Sequence, residues 1–213
     1  KAIIDWQEFG IESAEHVDFQ LSQGGVTLNR VTGNNPSNIF GKLTSNGDLW
    51  LINPNGVLFG NNAQVDVHGL MATTSNISNA DFLSGNYNFN VPSSLSSTVV
   101  NQGTITAAEG GLVALVAPGV QNMGIINARL GKVSLASGRT FTVDLYGDQL
   151  INLGVDSQVM GQVTGMDGQA LTSLVTNSGS IFADGGVVRL DVNAAQNIVD
   201  RVINMDGVIQ ARS

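Results

Sequence analysis

A five-residue pattern, asparagine-x-glycine-x-isoleucine, returns at intervals near 21 residues and constrains the fold more than anything else in the chain. Asn101-Gln102-Gly103-Thr104-Ile105 recurs as Asn122-Met123-Gly124-Ile125-Ile126, 21 residues on. It comes back as Asn177-Ser178-Gly179-Ser180-Ile181 and, with one extra residue, as Asn204-Met205-Asp206-Gly207-Val208-Ile209. A second element follows each of the first three: Gly110-Gly111-Leu112-Val113, Gly131-Lys132-Val133 and Gly185-Gly186-Val187-Val188. The unit reads as turn, short strand, turn, short strand. Alternating apolar positions at Val133 and Leu135, at Phe141, Val143 and Leu145, and at Val188, Leu190 and Val192 support strands over helices. Short strands separated by Asn/Gly turns at a fixed period predict an all-β fold, a β-solenoid whose coils stack about 4.8 Å apart.

Composition fits that geometry. The 213 residues include 26 Gly but only 12% charged side chains. Tight corners need backbone conformations that Gly and Asn tolerate, and asparagines at equivalent corners can hydrogen-bond from coil to coil as amide ladders. Like charges stacked at that spacing would repel, so few charges are expected. The only helix-like stretch is Asn193 to Ile203, expected to wind a turn or two at most. Residues 73–97 and 139–174 lack the repeat and are expected to be hairpin excursions on the surface of a single domain, 1–213. Neither terminus resembles a cap, so the chain is expected to be a fragment of a longer solenoid.

The same numbers exclude several function classes. With a net charge of −8 and nine scattered basic residues, the chain has no basic stripe for nucleic acid or for an anionic membrane. No run of 18 apolar residues occurs. The absence of cysteine removes disulfides and thiolate chemistry, and suits a chain that crosses an oxidising compartment unfolded. Only His16 and His68 are present, a surface-loop residue and an outward strand residue on this reading. Asp144, Asp148 and Asp156 suggest the calcium-carboxylate site of a polysaccharide lyase. None of Arg129, Lys132 or Arg139 is spaced to serve them, so no catalytic residue, cofactor or metal site is expected.

The strongest local signals lie near the start: Asn29-Arg30-Val31-Thr32-Gly33, and Leu51-Ile52-Asn53-Pro54-Asn55-Gly56-Val57-Leu58-Phe59-Gly60. The second reads as strand, turn, strand, with Pro54 presetting φ, Asn55 tolerating the next position and Gly56 closing the turn. Arg30 is expected to point outward from a strand, and Trp6 and Trp50 to pack. Together with Lys1 to Phe9 and Ile39-Phe40-Gly41, these motifs closely resemble the secretion domain of two-partner-secreted exoproteins, the haemagglutination-activity domain of filamentous haemagglutinin and the high-molecular-weight adhesins.

The resemblance covers essentially the whole chain. It implies a right-handed parallel β-helix that reaches the periplasm through the Sec system. A cognate outer-membrane transporter, with POTRA domains and a barrel pore, then recognises the domain. It further implies that the domain nucleates β-helix folding at the cell surface, giving a secreted or surface protein. Residues matching the secretion motifs are Asn29, Arg30, Val31, Thr32, Gly33, Asn53, Pro54, Asn55 and Gly56. A monomer is expected, with surface ligands left to the rest of the exoprotein. The alternatives are a ligand-binding adhesin segment and a β-helix polysaccharide-active enzyme.

Overall fold

The structure, a computed structural model, describes residues 1–145, 150–154 and 158–212. The chain winds through successive coils whose strands form three parallel stacks. The first stack runs through His16–Phe19, the start of Lys42–Ile52, the start of Gln64–Thr73, Thr104–Ala107, Ile125–Asn127, Ser180–Phe182 and Val208–Gln210. The second holds Ala2–Trp6, Val26–Val31, the ends of the two long strands, Leu112–Ala117, Lys132–Ser137 and Val187–Val192. The third holds Ser37–Ile39, Val57–Phe59, Thr98–Asn101, Gly119–Asn122, Ser173–Asn177 and Arg201–Met205. This is the expected parallel β-helix.

Strand alternation sorts each stack into an inner and an outer row. In the first stack Val17, Leu43, Val65, Ile105, Ile126, Ile181 and Ile209 lie in register and point inward. In the second, Leu51, Ala72, Leu115 and Leu135 do the same. Aliphatic side chains stacked on their own kind fill the lumen at near-crystalline density, which is the dominant stabilising contribution. The charge expectation holds in the register. Asp5 faces Arg30, of opposite sign, and no two carboxylates or two Lys/Arg side chains face one another among the described pairs.

The amide ladder exists. Asn101 Nδ2 donates to Asn122 Oδ1 at 2.8 Å and Asn122 Nδ2 to Asn177 Oδ1 at 2.7 Å, all three side chains fully buried. Beside it runs a glycine column. A Cβ on Gly124 would sit 2.1 Å from Gly103 O, and one on Gly179 would sit 2.0 Å from Gly124 O. The repeat therefore demands glycine because the coil below occupies the space of a side chain. Asn204 does not extend the ladder. Its extra residue shifts the register, so Asn177 faces Met205 and Asn204 faces Thr176; Asn204 Nδ2 turns to Asp206 instead. On the other side the column ends on Phe59 and Ile39.

Two segments leave the coil, 74–97 and 138–172, and both leave between the second and third stacks. The first is more than a hairpin. It is closed by an antiparallel bridge between Asn76 and Val91 and carries a helix, Asn79–Ser84, which the sequence reading missed. Ser78 caps that helix by accepting from Asp81 N at 3.0 Å, and Gly85 ends it at φ 84°. Its strand Asn88–Phe89 pairs with Phe141–Val143 of the second excursion, which pairs in turn with Ile151–Leu153, all antiparallel. This small sheet covers the outer face of the second stack and creates a second core. Trp50, 1% exposed, packs there as expected, with Phe82 and Tyr87 at 5.5 and 4.7 Å between ring centroids, while Phe89 stacks on Phe141 at 4.4 Å. Asn193 to Ile203 forms no helix. Asn193 N is drawn to Ser137 O at 2.8 Å, and the third-stack strand Arg201–Met205 claims the end of the stretch.

Candidate functional site

The two sequence motifs occupy one corner of two successive coils, the corner between the second and third stacks. The strand Val26–Val31 ends there in Thr32 and Gly33; the strand Lys42–Ile52 ends there in Asn53 to Gly56. They are joined directly, because Asn55 Nδ2 donates to Gly33 O at 2.8 Å. Gly33 must be glycine, since a Cβ would sit 2.2 Å from Gln7 O.

Asn53 organises the turn and is itself fully buried. Its Nδ2 donates to Asn35 O and to Ser37 Oγ, both at 3.0 Å, while its Oδ1 accepts from Asn55 N at 2.9 Å and Asn55 Nδ2 at 3.1 Å. Gly56 N closes the turn on Asn53 O at 3.0 Å, and Gly56 takes a φ of 113° that disfavours any side chain. Pro54, exposed at the tip, accepts through its carbonyl from Ser97 Oγ. The turn chemistry read from the motif is thus present, and Asn35, Ser37 and Ser97 are partners that local spacing does not reveal.

In the upstream motif the alternation of the strand divides the roles. Asn29 and Val31 point into the lumen. Asn29 is buried between Ile4 and Leu51 and accepts from Trp6 Nε1 at 3.0 Å. Thr32 is exposed, and both its N–H and its hydroxyl donate to Trp6 O, at 2.8 and 3.0 Å. Arg30 points outward, as expected, yet its side chain is only 12% exposed because the first excursion lies on it. Its Nε donates to Asn76 Oδ1 at 2.9 Å, Nη2 to Ile77 O at 2.9 Å, and Nη1 to Asn79 Oδ1 at 2.8 Å and Asp5 Oδ1 at 3.0 Å.

Five of the nine motif residues therefore act mainly inside the molecule or under the excursion: Asn29, Arg30, Val31, Asn53 and Gly56. Thr32 and Pro54 are the exposed members, with Gly33 and Asn55 partly so. Among the described residues no group of three His, Cys, Asp or Glu side chains converges. Asp148 and Asp156 lie outside the described residues. His68 stands on the surface and meets Asp48 Oδ1 through Nδ1 at 2.7 Å, while His16 meets Thr44 Oγ1 at 2.8 Å.

Comparison with known proteins adds four findings. The family model described as the TPS secretion domain matches residues 1–213. A heme/hemopexin-binding protein of Haemophilus influenzae strain Rd is 36% identical over 187 residues, 84% of this chain and 19% of its own length. A second Haemophilus influenzae heme/hemopexin-binding protein is 44% identical over 90 residues, 42% of this chain and 10% of its own length. The crystal structure of the HMW1 secretion domain from Haemophilus influenzae superposes with a TM-score of 0.72 at 31% identity, covering 88% of this chain and 48% of that one. The chain thus spans less than a fifth of either heme/hemopexin-binding relative and about half of the solved secretion domain.

Proposed function

The chain belongs to the TPS (two-partner secretion) domain family, and from that premise we propose that its corner motifs are what a cognate outer-membrane transporter recognises. Proteins of this family are exported through the periplasm by their transporter and are secreted or held at the cell surface. On this proposal the POTRA domains of the transporter engage the segment around Asn29–Gly33 and Asn53–Gly56 before it is fully folded, and the barrel passes the chain outward. The β-helix formed outside then offers its last strands as a template for the next coil. The domain performs no catalysis on this reading. Two relatives are named heme/hemopexin-binding proteins; on this proposal the ligand of an exoprotein carrying this domain is left to the rest of that exoprotein.

The observation that carries the proposal is the family match over residues 1–213. The joining of the two motifs at one corner through Asn55 and Gly33 supports the choice of residues. The test is export by the cognate transporter. Asn53→Ala and Asn55→Ala are expected to cut the amount of exoprotein outside the cell while leaving the far-ultraviolet signal of the purified β-helix in place. Normal export of both variants would overturn the assignment of the corner.

A further inference from the structure

The Gly56 side of the corner built by Asn53–Gly56 is covered by a piece of chain more than a hundred residues away, while Pro54 stays exposed. The second excursion ends in a hairpin, Val163 to Leu171, whose arms meet through the antiparallel bridge Thr164–Ala170 and whose tip holds Met166. The Met166 methyl lies 2.8 Å from where a Cβ on Gly56 would be. The hairpin is seated by Thr164 N donating to Leu95 O at 3.3 Å. It also shares a small apolar cluster, in which Val159, Val163 and Leu171 meet Leu95 of the first excursion and Ala194 and Ile198 beyond the last second-stack strand. Val159 bonds that late segment in both directions, N to Asn193 O and O from Ala195 N, each at 2.9 Å.

Corner and cover depend on different lengths of chain. The corner's hydrogen bonds involve Gly33, Asn35, Ser37 and Asn53 to Gly56, with Thr73 O accepting from Asn53 N, and the most distant partner is Ser97, whose Oγ donates to Pro54 O. It is complete once the chain has folded through Ser97, a little under half of its length. The cover needs residues 95, 159–171 and 193–198 together. Between those two points the corner is formed and open.

We propose that seating of the Met166 hairpin expels the transporter from the corner, so that recognition is confined to the incompletely folded domain and completion of the domain releases it. This rests on the reading that the transporter binds the corner. Two occupants of one surface exclude each other, so the stability of the hairpin's seat sets how weakly the finished domain is held.

The experiment measures binding of the 213-residue chain to its purified cognate transporter. It compares folded wild type, folded Met166→Ala, folded chain with residues 164–170 replaced by two glycines, and wild type added from denaturant before it refolds. The shortened chain is expected to bind at least about tenfold tighter than folded wild type, and Met166→Ala about threefold tighter. Adding Asn53→Ala to either should remove the gain. Should the shortened chain fail to fold, Met166→Ala decides alone, since it removes one contact on an intact hairpin. Equal affinity of folded wild type and Met166→Ala would overturn the cover. Failure of the transporter to bind even the unfolded wild type would instead overturn recognition of the corner, and the cover with it.

Discussion

At the scale of single residues, the molecule is set by what each side chain meets one coil away. Asn122 is the plainest case, donating to Asn177 and accepting from Asn101 in a fully buried column. Asn122→Ala strips a partner from both neighbours at once, and a buried polar group left unpaired is costly. The expected loss is about 3 kcal/mol of unfolding free energy, read from the denaturant midpoint at unchanged slope. Asp184 gives a pH-dependent counterpart. The N–H of Arg212, first, and the side chain of Gln210 donate to its carboxylate at 3.0 and 2.9 Å and hold its pKa below the ordinary value of 3.8. A carboxyl whose folded pKa is depressed contributes stability above its unfolded pKa and loses it as pH falls through the folded one. Wild type should therefore exceed Asp184→Asn in denaturant midpoint near neutral pH, and the gap should vanish as pH falls well below 3.8. A gap constant with pH would contradict the assignment. The ladder was legible in the sequence because turn chemistry is local: Asn-x-Gly announces its own corner. Asn204 misled for the same reason, since the pattern survives there while an extra residue moves it one place along the register.

At the scale of elements, Arg30 decides whether the first excursion is part of the body. Four hydrogen bonds leave its guanidinium: three reach Asn76, Ile77 and Asn79, and the fourth reaches Asp5 on the neighbouring strand. Lysine can supply the charge but not the planar fork. Arg30→Lys is therefore expected to cost about 2 kcal/mol of docking and to expose residues 74–97 to limited proteolysis, while the β-helix signal persists. Cleavage at the wild-type rate would show that the aromatic packing around Trp50 holds the excursion unaided. Little of this was readable beforehand. The partners of Arg30 in the excursion lie 46 to 49 residues away, and no spacing rule connects them. The helix Asn79–Ser84 is different, because Ser78, Asp81 and Gly85 spell a capped start and a left-handed stop that could have been read. The low apolar content of that stretch hid it. For the corner, the turn at Asn53–Gly56 was legible, but its covering by Met166 was not, since only the coil's own geometry brings those positions together.

At the scale of the whole molecule, burial is uneven along the axis. The middle coils, from Thr104 to Ser137, have a neighbour on both sides and an interior almost without exposed apolar side chains. The last strands leave Val202, Met205 and Val208 at 50, 41 and 53% exposure. Local opening follows the number of neighbours that must be released. Amide hydrogen exchange is expected to be slowest in residues 104–137 and fastest in 187–212, with protection of the latter rising when further coils of the exoprotein are appended. Uniform protection along the chain would mean that the domain opens only as a whole.

Tension brings out a property of the small antiparallel sheet that contacts alone do not suggest. A stack of coils bonded only to their neighbours should peel from its end under a steady pull, one turn of chain at a time and at low force. Here the strand Asn88–Phe89, hung from the coil that ends at Thr73, is bonded to Phe141–Val143, hung from the coil that ends at Ser137. Peeling from the C-terminal side would run quickly to that clasp and halt. It would resume only in one long jump that frees all the coils the clasp ties together.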